Sequence, residues 1–383
     1  MSWNKVPIKT ICKGIYDGPH ATPPESSSGA VFLGIPNFIN GQLDLSNIRY
    51  ISEQDLPKWT KRVTPQPNDI VFSYEATLNL YAIIPKGFWG CLGRRMALIR
   101  VDEKKADYKF LYYHFYSTAW RSVIQEHTVT GATVDRIPLV SFPNFLVELP
   151  DLPTQRRIAS ILSAYDDLIE NNRRQIKLLE EAAQRLYREW FVELRFPGHE
   201  SVKVVDGVPE GWMKVCLKDI CETKTGKKDA NFGCDDGAYP FFTCAQAPIK
   251  APSYSFDCSA VILAGNGDFN VKLYRGKFEA YQRTYVLSPA NTEYLFLLYN
   301  AVSRNMNVLT KGASGSTIKF LTKGMIDSIE LLIPSSQLLT TYNQNSEALQ
   351  KSIEALHRKV ALAVEARDRL LPKLINHEME VML

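Results

Sequence analysis

Cysteine, the acidic residues and glycine are the residue types whose spacing could form a metal site, an acid–base pair or a nucleotide-binding loop. The seven cysteines include no Cys-x-x-Cys pair and have no nearby histidine pair, which argues against a zinc site or a disulfide framework: Cys12, Cys91, Cys216, Cys221, Cys234, Cys244 and Cys258. Gly265-Asn-Gly267 lacks the third glycine of a dinucleotide loop. The chain has neither the Asn-Pro-Pro-aromatic motif of adenine methyltransferases nor a Gly-x4-Gly-Lys-Ser/Thr phosphate loop. We therefore expect no catalytic site, metal or cofactor in this chain.

The composition indicates a folded protein with no membrane-spanning segment. Apolar residues make up 45% of the 383 residues, which is enough for packed cores, and this length exceeds the usual size of one domain. No apolar run approaches the ~18 residues that would cross a bilayer, and the N-terminus lacks a signal-peptide pattern. The net charge of +4 permits nucleic-acid binding without requiring it. We expect a cytoplasmic protein with two or more domains and no membrane partner.

An internal duplication organises the chain. Five residues near the N-terminus recur 209 positions later: Trp3, Lys5, Val6, Ile11 and Cys12 match Trp212, Lys214, Val215, Ile220 and Cys221. Towards the end of each copy the offset is 184, where Gly131-Ala-Thr-Val134 matches Gly315-Ser-Thr-Ile318 and Pro150 matches Pro334. The two copies share a frame, while their middles differ in length and content. This pattern is typical of one scaffold used twice with different binding surfaces.

A long helix is predicted after each copy. Residues 154–191 contain no glycine or proline, and apolar positions recur in alternating steps of four and three. The same seam appears 184 residues later, and such a repeat predicts a left-handed coiled coil of helices ~55–60 Å long. Asn172 is a polar seam residue of the kind that fixes register at some cost in stability. The seam contains Ile158, Leu162, Tyr165, Ile169, Asn172, Ile176, Leu179 and Leu186, followed by Leu349, Ile353, Leu356, Val360 and Leu370.

These elements predict a mixed α/β (α+β) fold. Two globular domains are separated by two long helices, which form an antiparallel coiled coil in a pseudo-twofold repeat. The domains are residues 1–150 and 212–334, the helices are residues 151–195 and 335–378, and residues 196–211 form a linker with three glycines and two prolines. The short linker favours pairing of the helices within one chain. Exchange of helices between chains, or separate packing of each helix on its own domain, remain alternatives.

Equivalent short elements are expected inside the two copies. Residues 69–74 and 260–265 predict buried strands, and residues 95–99 and 283–287 predict a second pair, each of which begins with an arginine. Residues 107–118 and 292–303 predict equivalent helices. Loops rich in glycine, proline and asparagine lie between these elements, at residues 16–23, 224–231 and 265–270.

The start of the first long helix carries a specific resemblance. Leu149-Pro-Asp-Leu-Pro-Thr-Gln155 is followed by Arg157-Ile-Ala-Ser-Ile-Leu162 and Asp166-Asp-Leu-Ile-Glu-Asn171. This segment resembles the Leu-Pro-x-Leu-x-x-Gln start of the first conserved helix in specificity subunits of type I restriction-modification enzymes. Asp17-Gly-Pro-His20 and the turn at residues 131–134 also resemble patterns of that family. The second helix start, Ile333-Pro-Ser-Ser-Gln337, departs strongly from the pattern.

The resemblance covers essentially the whole chain and implies a non-catalytic subunit that reads double-stranded DNA. Each of two target-recognition domains would read one half of a split site, and the helices would set the separation of the halves. The family also implies partners: two methyltransferase subunits docked on the helices, with restriction and translocase subunits joined through the complex. S-adenosylmethionine, magnesium and ATP would then belong to those partners. The bases read, the spacer length and whether the system restricts or only methylates stay open.

Candidate DNA contacts come from the divergent middles, because arginine or lysine can pair with guanine and asparagine or glutamine with adenine. Arg95 and Arg283 occupy equivalent places, where each could bind phosphate or pair with a carboxylate. The two adjacent lysines favour a phosphate anchor or a solvated turn over base reading, and a structural role is favoured for the loop histidine. The candidates are Tyr16, His20, Tyr74, Arg94 and Arg95 in the first copy and Lys227, Lys228, Asn231, Asn266, Gln282 and Arg283 in the second.

Two other classes of protein are compatible with parts of this pattern. An interaction scaffold that binds protein or RNA on a coiled-coil spacer would explain the duplication equally well. It would not explain the Leu149–Gln155 segment or the Asp17–His20 loop. A nuclease with an unrecognised site is the second alternative, and metal-dependent cleavage by the isolated chain would establish it.

Overall fold

The computed structural model describes residues 3–131, 134–313, 319–376 and 378–381. The chain divides into two compact units. Unit 1 contains Met1–Asn171 and Lys359–Leu383, and unit 2 contains Asn172–Arg358. Each unit therefore combines one globular domain with a part of each long helix.

Unit 1 is built on a four-stranded antiparallel sheet in the order Cys12–Asp17, Met96–Val101, Ile70–Ser73 and Tyr81–Ile83. Ile70–Ser73 is buried throughout, which explains why its first three residues are all apolar instead of alternating with polar ones. A second sheet has the order Arg49–Ile51, Ala30–Leu33 and Gly90–Leu92. Two further antiparallel pairs are Asn4–Pro7 with Leu146–Leu149, and the small hairpin Phe38–Ile39 with Gln42–Leu43.

The helices of unit 1 correct one prediction. Residues 107–118 were expected to form one helix, but Tyr108–His114 ends there and Thr118–His127 begins a new helix. The Ser117 side chain accepts a hydrogen bond from the Trp120 backbone amide, and this N-cap starts the second helix. The remaining short elements are the α-helix Leu56–Trp59 and the 3-10 turns Ile8–Ile11, Ile35–Asn37 and Phe142–Asn144.

Unit 2 contains a six-stranded sheet in the order Cys221–Thr225, Thr284–Pro289, Phe256–Ala264, Val271–Ala280, Tyr239–Phe242 and Ile249–Ala251. Met213–Cys216 pairs antiparallel with Glu330–Ile333. The helix predicted at residues 292–303 begins as the 3-10 turn Thr292–Tyr294 and continues as Leu295–Gly312. The other helices are Leu217–Ile220 and Lys323–Asp327, with a 3-10 turn at Ala230–Phe232.

The segment predicted to be a linker carries regular structure. It contains the 3-10 turn His199–Ser201 and a hairpin of Val204–Val205 with Val208–Pro209. Phe196 is buried, with its ring centroid 4.6 Å from that of Trp212. The glycines and prolines therefore mark tight turns in a short packed segment of unit 2.

The structure confirms the duplication and extends it. The order Cys12–Asp17, Met96–Val101, Ile70–Ser73, Tyr81–Ile83 repeats in unit 2 as Cys221–Thr225, Thr284–Pro289, Phe256–Ala264, Val271–Ala280. Ala30–Leu33 matches Tyr239–Phe242 at the N-terminal offset of 209, and each strand has one parallel neighbour. In unit 2 the long strand Val271–Ala280 makes both sets of pairings that two separate strands, Tyr81–Ile83 and Gly90–Leu92, make in unit 1. The two sheets of unit 1 therefore correspond to one continuous sheet in unit 2. Gly315–Ile318 and two residues of the Gly131–Val134 turn lie outside the described residues.

The two long helices are Leu152–Phe191 and Ser336–Ile375, each 40 residues long. Both ends obey the offset of 184, so the helices align without a gap. All thirteen predicted seam positions are buried or half-buried, among them Ile158, Leu162, Ile169, Asn172, Ile176, Ile353 and Leu356 in the buried class. These positions lie on the buried face of each helix, and the coiled-coil seam itself stays a prediction.

Within each unit the two helices pack on each other. In unit 1, Ile158 and Leu162 of the first helix share a core with Leu374 of the second. Arg367 Nη1 lies 2.7 Å from Asp166 Oδ1, and the Tyr113 hydroxyl donates to the other oxygen of Asp166. These contacts pair later residues of one helix with earlier residues of the other, as an antiparallel pair requires. In unit 2 the ring centroids of Trp190 and Tyr342 are 5.9 Å apart.

Candidate nucleic-acid interface

In each unit, several loops meet at the same end of the sheet through equivalent backbone hydrogen bonds. In unit 1 the Tyr74 amide donates to the Arg95 carbonyl at 3.1 Å, and the Ile137 amide donates to the Tyr74 carbonyl at 2.7 Å. In unit 2 the Gly265 amide donates to the Arg283 carbonyl at 2.8 Å, and the Leu321 amide donates to the Gly265 carbonyl at 2.8 Å. The two sheets therefore present the same set of loops in the same way.

We name these surfaces by their loops. Loop cluster 1 contains residues 16–20, 34–36, 74–76, 93–95 and 134–137, and loop cluster 2 contains residues 226–232, 243–248, 265–270, 281–283 and 319–321. Further equivalent bonds close both clusters: the Gly93 amide donates to the Leu33 carbonyl at 2.7 Å, as the Tyr281 amide does to the Phe242 carbonyl at 2.9 Å.

Close backbone approach requires glycine at the ends of equivalent strands in the two clusters. A Cβ atom on Gly18 would lie 2.2 Å from the Gly93 carbonyl oxygen, and a Cβ atom on Gly226 would lie 1.9 Å from the Ala280 carbonyl oxygen. Both glycines also donate to the next strand, Gly18 to Met96 at 2.8 Å and Gly226 to Thr284 at 3.2 Å. The glycine of the Asp17–His20 motif thus brings two loops of cluster 1 together.

Tyr74, one of the predicted DNA contacts, is buried in the structure. Its side chain is 5% exposed, and its hydroxyl donates to the Arg94 carbonyl at 2.9 Å. Burial, reinforced by Asp17 and Glu75, raises the pKa of Tyr74 to about 12. Tyr74 therefore holds the 93–95 loop in place, and its hydroxyl is already used.

The other predicted residues of unit 1 lie in or beside cluster 1. His20 Nε2 is 2.9 Å from Asp17 Oδ2, and Arg62 Nη1 is 2.5 Å from the other oxygen, so Asp17 holds both groups. Tyr16 is half-buried on the first strand and pairs in register with Leu98. Arg94 is exposed. Arg95 Nε lies 3.8 Å from Glu75 Oε1, which is an ion pair too long to be a hydrogen bond.

All six predicted residues of unit 2 lie in cluster 2. Lys227, Asn231 and Arg283 are exposed. The Lys228 ammonium lies 4.4 Å from the centroid of the Phe232 ring. The backbone N–H of Gln282 donates to the backbone carbonyl of Lys228 at 2.9 Å. The Gln282 side chain donates to Asp229 at 2.7 Å, so this glutamine is oriented by a neighbouring carboxylate. Asn266 is half-buried and forms a β-bridge with Phe320.

Sequence reasoning missed the 243–248 loop, which carries the exposed Gln246. Asn270 Nδ2 donates to the Cys244 carbonyl at 3.0 Å and Lys272 Nζ donates to the Ala245 carbonyl at 2.9 Å, which fastens this loop beside the 265–270 turn. Burial lowers the pKa of Lys272. Residues 30–33 and 239–242 share only Phe32/Phe241 in sequence, so it is the equivalence of these strands in the structure that places residues 34–36 and 243–248 at the same point of the fold.

In the described part of the chain, neither a metal-ion cluster nor a membrane-spanning helix is found. In residues 3–131, 134–313, 319–376 and 378–381, no group of three or more His, Cys, Asp or Glu side chains is arranged to hold a metal ion. No helix in those ranges combines the length and apolar character needed to cross a bilayer. The arrangement offers exposed guanidinium, ammonium and amide groups on loops held by rigid strands, which suits recognition of a polar, anionic surface.

Comparison with known proteins decides the family. The family described as "Type I restriction modification DNA specificity domain" matches residues 3–181 and again residues 209–365. The chain belongs to this family. Each of the two matches covers one copy of the duplication, so this DNA specificity domain is present twice, once in each half of the chain.

Relatives within the DNA specificity family carry consistent names. The chain is 38% identical over 178 residues to the type I restriction enzyme EcoDI specificity subunit of Escherichia coli, a match that spans 46% of this chain and 38% of that protein. It is 22% identical over 374 residues to the MjaIX specificity subunit of Methanocaldococcus jannaschii, which covers 88% of this chain and 85% of that protein. The chain thus spans well under half of the first relative and most of the second.

A solved structure shows the same fold. The type I restriction-modification S subunit from M. genitalium superposes with a TM-score of 0.63 over 100% of this chain and 97% of that chain, at 16% sequence identity. The mixed α/β architecture with two copies of the specificity domain is therefore the architecture of this family.

Proposed function

We propose that this chain is a specificity subunit that binds double-stranded DNA in a sequence-specific manner and reads a bipartite site. The observation that carries the proposal is that loop clusters 1 and 2 have one backbone plan but different side chains. A shared scaffold would approach the duplex in the same way in both halves of the site. Different side chains would then read different bases, so the two half-sites differ in sequence.

The exposed groups of each cluster suit this task. Arg94 and Arg283 present guanidinium groups that can bind guanine through two hydrogen bonds or grip phosphate. Each good base contact contributes ~1–3 kcal/mol of discrimination, so one small domain specifies a few base pairs. Two domains on one face of the duplex would read half-sites about one helical turn apart, ~34–36 Å. The long helices would set that separation.

The chemistry would reside in partner chains. The sequence lacks the adenine-methyltransferase motif and the phosphate loop, and in the proposed complex two methyltransferase subunits dock on the long helices. Restriction and translocase subunits would join through the complex. S-adenosylmethionine, magnesium and ATP would then be bound by these partners, and the chain would act in the cytoplasm with no catalytic step of its own.

A methylation map tests the proposal. The chain is expressed with its genomic methyltransferase partner in a host free of adenine methylation, and modified adenines are located by long-read sequencing. We expect one bipartite motif with a spacer of fixed length. Absence of a motif, with the same methyltransferase active beside another specificity subunit, would contradict DNA reading and favour a scaffold. Metal-dependent cleavage by the purified chain would instead reveal a nuclease.

A substitution series separates the halves of the site. Arg94→Ala in cluster 1 is expected to relax or abolish the first half-site only, and Arg283→Ala in cluster 2 the second half-site only. Lys203→Ala, an exposed lysine outside both clusters, is the matched control and should leave the motif unchanged. If both cluster variants changed the same half-site, assignment of one cluster to each half would be wrong.

A further inference from the structure

Loop cluster 1 contains an apolar pocket at the end of its sheets. The pocket has a volume of about 290 Å³ and is lined by the side chains of Phe32, Ile35, Pro36 and Met96. Phe32 and Met96 are buried, Ile35 is half-buried and Pro36 is exposed. The pocket therefore has a floor made of two strand residues and opens to solvent on the surface that faces DNA in the proposed function.

Hydrogen bonds to Asn37 hold the turn that carries Ile35 and Pro36. The Gly34 amide donates to the Asn37 side-chain oxygen at 2.9 Å, and the Asn37 amide donates to the Gly34 carbonyl at 3.1 Å. Asn37 is 5% exposed, and its side-chain nitrogen donates to the Asp44 carbonyl at 3.1 Å. The pocket is therefore formed before a ligand arrives, so little ordering of the loop opposes binding.

The lining of the pocket selects the chemistry of its occupant. Among the described residues that line it, Arg94 and Arg95 supply the polar side chains. Guanidinium groups beside an apolar pocket suit an apolar group that is carried by a polyanion. In the major groove of DNA that group is the C5 methyl of thymine. An apolar cavity of about 150 Å³ can hold benzene, so the pocket has room for the methyl edge of one base.

Cluster 2 has smaller or more polar residues at the equivalent places. At the offset of 209, Cys244 stands in place of Ile35, and its Sγ lies 3.6 Å from the Arg283 carbonyl oxygen. Thr284 stands in place of Met96, because the carbonyls of both accept a hydrogen bond from equivalent glycine amides. The apolar lining is therefore a feature in which the two recognition surfaces differ.

We infer that this pocket reads one thymine of the first half-site by enclosing its C5 methyl group. The inference rests on the proposed function and assigns a base, and the side chains that recognise it, to cluster 1. Cytosine has no methyl group at C5, so the pocket distinguishes the two pyrimidines through apolar contact. A base flipped out of the duplex is a poorer occupant, because its Watson–Crick edge would require hydrogen-bond partners in place of these apolar side chains.

Removal of single methyl groups from the DNA tests this assignment. The chain is purified in complex with its methyltransferase partner, and binding is measured to duplexes that carry the methylated motif. Each thymine of the motif is replaced in turn by deoxyuridine, which lacks only the C5 methyl group. We expect one thymine of the first half-site at which this replacement weakens binding about fourfold, the effect of one buried methyl group.

Two variants show whether the pocket causes that loss. Ile35→Ala removes one wall and should reduce the loss to less than about twofold. Gly34→Val should abolish the loss by filling the pocket. The backbone of Gly34 is extended, with φ −127° and ψ 176°, and a Cβ atom there would lie 3.5 Å from Pro36 Cδ, an ordinary contact. Valine therefore fits at this position without backbone strain.

Ile39→Ala is the matched control. Ile39 is 48% exposed in the same unit and lies outside cluster 1, so this variant should keep the fourfold loss. Circular dichroism confirms that every variant is folded. The inference would be overturned if no thymine of the first half-site responded to loss of its methyl group, if Ile35→Ala and Gly34→Val kept the full loss, or if Ile39→Ala removed it. Failure of the wild-type complex to prefer its motif over unrelated DNA would instead contradict the proposed function.

Discussion

Replacement of Asn172 changes both packing and hydrogen bonding in the seam, and the two energies together decide whether the protein becomes more or less stable. This residue lies in the seam and is 4% exposed, and its side-chain Nδ2 has no hydrogen-bond partner among the described residues. The equivalent residue of the second helix is Leu356, which is 8% exposed. The same seam thus accepts leucine in one helix and holds an unsatisfied amide in the other.

Replacement of Asn172 with leucine should stabilise the protein. An unsatisfied buried donor costs about 1–3 kcal/mol, and burial of a leucine side chain contributes about 1.5–3 kcal/mol. The larger side chain can cost about 1–3 kcal/mol where packing is already tight. The balance favours Asn172→Leu by about 1–3 kcal/mol. For a cooperative unit of 150–250 residues this corresponds to a rise in Tm of about 2–12 °C.

Differential scanning calorimetry of the wild type, Asn172→Leu and Asn172→Asp checks the reasoning. The aspartate has nearly the same shape but places a carboxylate in the seam, so its Tm should fall. A lower Tm for Asn172→Leu would refute the argument, because it would mean that the amide is satisfied or that the seam has no room. If Asn172 fixes helix register, the leucine variant should also methylate sites whose spacer is altered by one base pair.

Four further perturbations follow from buried and exposed groups of the structure, among them His114, which is 3% exposed. Ile353→Asp places a carboxylate at a seam position that is 7% exposed, which should cost several kcal/mol of stability and abolish methylation of the split site. Ser352→Asp changes the exposed neighbour and should keep methylation intact. Persistent methylation by Ile353→Asp would contradict a structural role for the seam. Tyr74→Phe should lower the free energy of unfolding by about 1 kcal/mol in urea titrations and leave the methylated motif unchanged, and an altered motif would restore Tyr74 as a reader. Arg283→Ala should reduce the slope of log K against log salt by about 1, and an unchanged slope would argue against a phosphate contact. Burial lowers the pKa of His114 from 6.5 to about 4. The free energy of unfolding should therefore be constant above pH 6.5 and fall between pH 6.5 and 4 by up to about 1.4 kcal/mol per pH unit. His114→Gln should flatten this pH dependence, and an equal slope in the variant would assign it to other groups.

Periodic features could be predicted from the sequence because they depend on local geometry. The seam residues from Ile158 to Leu186 were identified by a repeat of 3.5 residues, and the structure buries or half-buries each of them. The duplication was visible because both copies keep the opening strand and the helix start. The strand at residues 69–74 could be recognised because its centre, Ile70-Val-Phe72, is an apolar run, as a strand covered on both faces requires.

Individual side chains in the loops could not be predicted in the same way. Tyr74 follows a buried strand and has a hydrogen-bonding hydroxyl, which made it a plausible reader, yet the hydroxyl is directed to the Arg94 carbonyl. The break between Tyr108–His114 and Thr118–His127 depends on the Ser117 cap, which competes with continuation of the helix. The 243–248 loop joins cluster 2 because distant strands pair in the sheet, and no local pattern encodes that pairing.

The sequence by itself determined the double scaffold, the length and inward face of both long helices, and the family resemblance of their start. It could do so because a repeat, a helical period and a motif are all properties of residues close together in the chain. Tertiary structure decided which loops meet at the end of each sheet, which candidate side chains are already used by the fold, and how two short strands of unit 1 become one long strand of unit 2. Those outcomes depend on contacts between residues far apart in the chain, where burial and hydrogen-bond partners are set by the whole fold.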